Sequence, residues 1–183
     1  MRYLIDTNIF LFMVGDKHSL SRNVSHIIDD YSNLLYISSE SVKELIHLFQ
    51  ANKISDTKWK VAQDIVDAIE NDWNVTIKYI QKEHLVAFSN LDRVENHNDP
   101  SDRLIISQAI CEKIPLISSD NKFRHYRKQH LELVLTKNKS DPVQRRLHLY
   151  RSRDVARRVS TIGIFNRPKA QSFGRFFILF AAL

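Results

Sequence analysis

The chain has 183 residues, 43% of them hydrophobic and 26% charged, with 27 basic against 21 acidic side chains and a net charge of +6. These fractions exclude a wholly disordered chain, and the single Cys111 excludes an internal disulfide and a Cys-pair zinc site. Only Gly15, Gly163 and Gly174 are glycines, which excludes a Gly-rich phosphate loop and a dinucleotide-binding turn.

In chain order, Tyr3-Leu4-Ile5 is a short buried-strand candidate, followed by Asp6-Thr7-Asn8 as a turn or cap and a helix over Ile9 to Val14. Leu20, Val24, Ile27, Ile28 and Tyr31 recur at the spacing of a helix face. Leu34 to Ile37 is a second strand, and Ser38-Ser39 caps a helix to about Ala51. A helix over Thr57 to Asn71 carries Val61, Ile65, Ala68 and Ile69 on one side. A strand over Trp73 to Ile77 and a helix over Gln81 to Asn90 come next. The polar loop Glu95-Asn96-His97-Asn98 leads to a helix over Pro100 to Cys111. Pro115 to Ile117 and Leu131 to Leu135 are the last strands, around a short helix after Asp120. Strands alternating with helices predict an α/β fold, a three-layer α/β/α domain over residues 1–136 with a central parallel sheet of about five strands.

The charge is unevenly placed. Residues 1–136 hold 16 basic and 19 acidic residues, net −3, whereas residues 137–183 hold 11 and 2, net +9. Residues 137–183 therefore read as a separate basic C-terminal extension, poorly ordered or partly helical. Three readings stay open for it: incidental extension, RNA binding through counterion release, or contact with a partner or membrane. No run reaches the roughly 18 apolar residues of a membrane span. Asp6 and Asn8 interrupt the apolar start, which makes it a poor signal peptide. A lone thiol fits a cytoplasmic location.

Asp6 and Asp120 follow apolar strand candidates, and Asp102 opens a helix. In an open α/β sheet, ligands bind beyond the carboxyl ends of the strands. Carboxylates gathered there repel one another, and a hard divalent cation offsets that cost. Such an ion activates water and stabilises charge on a phosphodiester. The plainer reading is capping: Asp6, Asp120 and Asp99, the last followed by Pro100, all suit N-cap positions. The two readings are compatible. Glu44 falls roughly 200° around its helix from Val42 on steps of about 100°. That is opposite the Val42, Leu45, Ile46 and Phe49 stripe, so periodicity makes it a solvated residue.

Four segments together resemble a known family. Tyr3-Leu4-Ile5-Asp6-Thr7-Asn8 looks like the opening of a PIN domain, and Ile37-Ser38-Ser39-Glu40-Ser41-Val42-Lys43-Glu44-Leu45 resembles its second motif. Asn98 to Ala109, containing Asp99-Pro100-Ser101-Asp102-Arg103, resembles the third, and Ile117-Ser118-Ser119-Asp120-Asn121-Lys122-Phe123 the fourth. The resemblance covers about residues 1–136 and is nearest to VapC-type toxins of type II toxin–antitoxin systems. It implies an endoribonuclease dependent on Mg2+ or Mn2+, with Asp6, Glu44, Asp102 and Asp120 as metal-binding catalytic acids. Asn8, Asp99 and Ser119 match accessory positions. It further implies an RNA substrate, a cognate antitoxin protein and a homodimer. For Glu44 it conflicts with the helical wheel. The alternatives are a haloacid-dehalogenase-like phosphatase, disfavoured by Asn8 standing where a second Asp is usual, and a non-catalytic RNA-binding module on the same fold.

His97 reads as a loop residue. Arg103 could touch phosphate or pair with an acid, and Trp59 and Trp73 read as core or interface residues. His18, His26, His47 and His84 show no metal-ligand spacing.

Overall fold

Five short strands form one parallel sheet in the order β3-β2-β1-β4-β5. The computed structural model describes residues 1–136 apart from Ser55, Thr57 and Asn96; the expected basic extension lies outside the described residues. The strands are β1 (Arg2–Ile5), β2 (Leu34–Ser38), β3 (Val75–Lys78), β4 (Leu116–Ser118) and β5 (Leu133–Leu135). The helices are α1 (Thr7–Gly15), α2 (Arg22–Asp29), α3 (Ser39–Gln50), α4 (Ala62–Asn71), α5 (Lys82–Asn90) and α6 (Pro100–Glu112). Two 3-10 segments, Lys17–Ser19 and Asn121–Gln129, complete the described elements.

Tyr3, Leu4 and Ile5 in β1 and all three residues of β4 are buried. Consecutive side chains on a strand point to opposite faces, so unbroken burial means that both faces of the sheet centre are covered. The core on one part of the domain is built from Leu4, Leu116, Ile105, Ile106, Phe123 and Tyr126 among others.

The strand order places the site. From β1 the chain adds β2 and β3 on one side, then crosses to add β4 and β5 on the other. The topological switch point therefore lies between β1 and β4, where open α/β sheets form a crevice at the strands' carboxyl ends. Ile5 pairs with Ile37 on one side and Ile117 on the other. The residues that follow, Asp6, Ser38 and Ser118, thus leave the sheet at one level.

Several boundaries differ from the sequence reading. The fourth helix starts at Ala62, after Asp64 accepts hydrogen bonds from the amides of Lys60 (2.6 Å) and Val61 (3.0 Å). This cap ends the extended approach and leaves Val61 exposed, contrary to its place on the apolar stripe; Thr57 lies outside the described residues. Tyr31, assigned to the face of α2, is 98% exposed because the helix stops at Asp29. The segment after Asp120 is a nine-residue 3-10 stretch. Trp59 is buried with its ring edge-on to Phe49, and Trp73 packs edge-on to Phe10, as expected of packing residues.

Candidate metal centre

Asp6 ends β1 and caps α1. Its Oδ1 accepts from the Thr7 amide at 2.8 Å, and its Oδ2 accepts from the Ser118 hydroxyl at 2.8 Å. The residue is fully buried. Ser118 Oγ in turn accepts from the Asp120 amide at 3.0 Å, so one hydroxyl ties the ends of β1 and β4 together. Asp120, half-buried, caps the following 3-10 segment through Lys122 N at 2.8 Å. Asp99 caps α6 through Ser101 N at 2.9 Å and Asp102 N at 3.3 Å, with Pro100 in the first turn. The expected caps are thus all formed, and each sits at the switch-point end of the sheet or at the helix leading to it.

Glu44 belongs here as well. Its Oε2 accepts from the Thr7 hydroxyl at 2.7 Å, one residue from Asp6. The helical wheel placed it in solvent because a wheel registers a single buried face. Helix α3 meets α1, α4 and α6 as well as β2 and β3. The face opposite its apolar stripe therefore meets α1 and is half-buried.

The tightest gathering differs from the four-acid set. A ring nitrogen of His97 and one carboxylate oxygen each from Asp102 and Asp120 all lie within 4.8 Å of one another. Asp6 joins them through Ser118, and Glu44 stands beyond Thr7. Asn8 is buried in the first turn of α1, and Ser119 is buried between Ser118 and Asp120. Imidazole and carboxylate donors at this spacing suit a divalent cation.

His97 lies in the loop between α5 and α6, as expected, but its side chain is buried. It forms an isolated antiparallel bridge with Val94 and is 3% exposed. Its Nδ1 is hydrogen-bonded to the Tyr126 hydroxyl at 2.8 Å, and its ring stands edge-on to Phe123 and Tyr126. Its Nε2 lies 3.3 Å from Asp102 Oδ2. Burial pushes the Tyr126 hydroxyl above the usual phenol range, with Arg103 opposing the shift and Asp102 adding to it.

Arg103 packs between two helices. Its Nη2 donates to the Leu91 carbonyl at 2.8 Å, and its guanidinium stacks over Phe88, so it ties α5 to α6. Ser118, Thr7, His97 and Tyr126 were missed as site residues. Strand register could have found Ser118, which pairs across from Leu135 at the end of β4.

With this geometry in place, the family can be stated. Residues 3–129 match the family model of the PIN domain. The chain belongs to the PIN domain family. The haloacid-dehalogenase-like alternative is left without support. No curated protein matches the chain. Among solved structures, VapBC2 from Rickettsia felis bound to a DNA fragment from their promoter is similar at a TM-score of 0.54 and 24% identity, over 75% of this chain and 100% of that one. VapBC-1 from nontypeable Haemophilus influenzae is similar at 0.51 and 19%, over 74% and 98%. DNA-bound VapBC from Salmonella typhimurium is similar at 0.50 and 15%, over 73% and 97%. These likenesses show the PIN fold over the described domain. Among the described residues, no helix is long and apolar enough to cross a membrane.

Proposed function

We propose that this PIN domain is a metal-dependent endoribonuclease acting as the VapC-type toxin of a type II toxin–antitoxin pair. The observation that carries this reading is the convergence of Asp6, Asp120 and Asp102 on the switch point, with His97, Asp102 and Asp120 within 4.8 Å. Asp6, Glu44, Asp102 and Asp120 would hold Mg2+ or Mn2+ directly or through water. The ion, when bound, lowers the pKa of a coordinated water and offsets the charge of the scissile phosphate.

The chain's own residues prepare that chemistry. Thr7 N and Ser118 Oγ each fix one oxygen of Asp6, which sets the plane of its carboxylate. The Thr7 hydroxyl holds Glu44 Oε2, which fixes the Glu44 carboxylate one residue from Asp6. Asp99 fixes the start of α6 and hence the position of Asp102. Asn8 and Ser119, both buried and each within two residues of Asp6 or Asp120, would act as accessory residues. Water attack leaves 5′-phosphate and 3′-hydroxyl ends.

The similar solved structures are VapBC assemblies, which supports a cognate antitoxin as partner for this chain. A homodimer and a cytoplasmic location belong to the same reading. The test is cleavage of RNA by the purified wild-type chain and by Asp6→Asn, with Mg2+ or Mn2+ and with chelator. Metal-dependent cleavage lost in Asp6→Asn is expected. A wild-type chain that binds RNA without cutting it would favour the non-catalytic module, and full activity in Asp6→Asn would remove Asp6 from the site.

A further inference from the structure

We propose that His97 is a nitrogen ligand to the cation, joining Asp102 and Asp120, with its tautomer set by Tyr126. This rests on the reading of the site as a metal centre and adds to it a residue outside the four acids.

Three observations carry it. First, His97 is 3% exposed, yet its Nε2 makes no hydrogen bond. A buried ring nitrogen without a hydrogen-bond partner is costly and uncommon. Asp102 Oδ2 lies 3.3 Å from it, close enough for an ion pair with a charged ring but not hydrogen-bonded to it. Second, the ring is held on several sides. Phe123 and Tyr126 stand edge-on to it at 5.5 and 5.4 Å between centroids, and the Val94 bridge fixes its backbone. A ring fixed in this way presents Nε2 in one direction, toward Asp102 and Asp120. Third, Nδ1 is already occupied by the Tyr126 hydroxyl at 2.8 Å.

Metal-bound histidines commonly donate their other ring N–H to a fixed outer partner. With a cation on Nε2, Nδ1–H would donate to the Tyr126 oxygen, 2.8 Å away, and the lone pair would lie on Nε2. Tyr126 is fully buried and anchored in the core with Leu116 and Ile105. The outer partner is therefore as rigid as the core itself. An imidazole ligand also has a chemical consequence. Nitrogen donors favour Mn2+ over the harder Mg2+ relative to an all-oxygen site. His97 should raise Mn2+ affinity more than Mg2+ affinity.

The experiment measures Mn2+ binding to the full chain by electron spin resonance, alongside Mg2+ binding by competition. Wild-type protein should show a nitrogen hyperfine coupling on bound Mn2+ that changes when histidine carries the heavy nitrogen isotope. His97→Gln should lose that coupling and weaken Mn2+ binding about tenfold or more, with a smaller loss for Mg2+. Tyr126→Phe should keep the coupling and weaken Mn2+ binding by about 10- to 100-fold, as removal of an outer-shell partner does. Absence of the coupling in wild type, or its persistence in His97→Gln, would overturn the proposal. Should His97→Gln not fold, isotope labelling of the wild-type chain decides alone: a coupling that responds to labelled histidine supports the proposal, and one that does not overturns it. Asp102→Asn separates the two levels. If it abolishes Mn2+ binding while His97→Gln binds as wild type does, the metal centre stands and the role of His97 falls. If Asp102→Asn binds Mn2+ as tightly as wild type, the metal centre itself falls.

Discussion

Two buried histidines in this domain each lie beside a carboxylate, and their surroundings differ in kind. His84 Nε2 is 3.4 Å from Glu112 Oε1, its Nδ1 accepts from the Gln81 amide at 3.0 Å, and Lys78 Nζ also pairs with Glu112. Lys78 lies over the Tyr36 ring as well. That cluster sets a cation against its carboxylate. At the switch point, backbone amides and hydroxyls reach Asp6, Asp120 and Glu44. These donors orient the carboxylates they reach. His97 there has one nitrogen in use and one aimed at two acids. The first arrangement suits holding β3, α5 and α6 together, and the second suits receiving a cation.

Substitutions on the two sides should separate these roles. The largest effect is expected from Asp6→Asn. Cleavage should fall by about 10²–10³-fold or more, the loss typical of removing one electrostatic stabiliser from a reaction. Thermal stability without metal should hold to within about 1–3 kcal/mol, because Asn keeps the shape of the side chain and one of the two acceptor oxygens. A larger loss of stability together with lost cleavage would mean that Asp6 acts mainly through the fold. Glu112→Ala should do the reverse. Leaving Lys78 and His84 without their partner should cost about 1–3 kcal/mol in a denaturant titration, with the cleavage rate of the folded fraction unchanged.

Ser118→Ala tests the link between the two strand ends. The loss of one hydroxyl that serves both Asp6 and Asp120 should cost about 1–3 kcal/mol, and cleavage should fall without vanishing. A variant as stable and active as wild type would mean that the two acids are positioned independently.

The same contrast shows which parts of the molecule the sequence made legible. The strand–helix alternation and the four motif segments gave the fold, because buried parallel strands are short apolar runs and the acids directly follow them. Asp99 was readable as a cap from Pro100 alone. Glu44 was misplaced by periodicity, since α3 is packed on several sides and only the strip with Lys43, His47 and Gln50 is left to solvent. His97 was missed because its burial comes from Phe123 and Tyr126, which are distant in sequence and meet it only through the fold. Ser119 was named because the family resemblance matches it, whereas the bond of Ser118 to Asp6 joins two strand ends 112 residues apart and is visible only in the fold.

A smaller effect is expected from alkali. The Tyr126 pKa is raised by burial, so its folded form resists ionisation more than the unfolded chain does. The stability this contributes is fully present below the unfolded value of about 10 and is lost as pH rises through the higher folded value. Denaturant titrations across that range should show a steeper loss in wild type than in Tyr126→Phe. The smallest effect is expected from ending the chain after Thr136. Thr136 is tied to the domain through Ser118 and Ser21. We propose that residues 137–183 add nothing to cleavage, so rate and salt dependence should both be retained. A shallower salt dependence after truncation would show that the basic extension binds RNA.

The central claim is that acids gathered at the switch point bind a divalent cation and cut RNA. The most direct measurement is cleavage of an end-labelled RNA by the full-length wild-type chain and by Asp102→Asn, with Mn2+ or Mg2+ and with excess chelator. The expected result is internal cleavage leaving 5′-phosphate ends, only for wild type and only with metal. Cleavage that persists in chelator, or equal cleavage by Asp102→Asn, would contradict it.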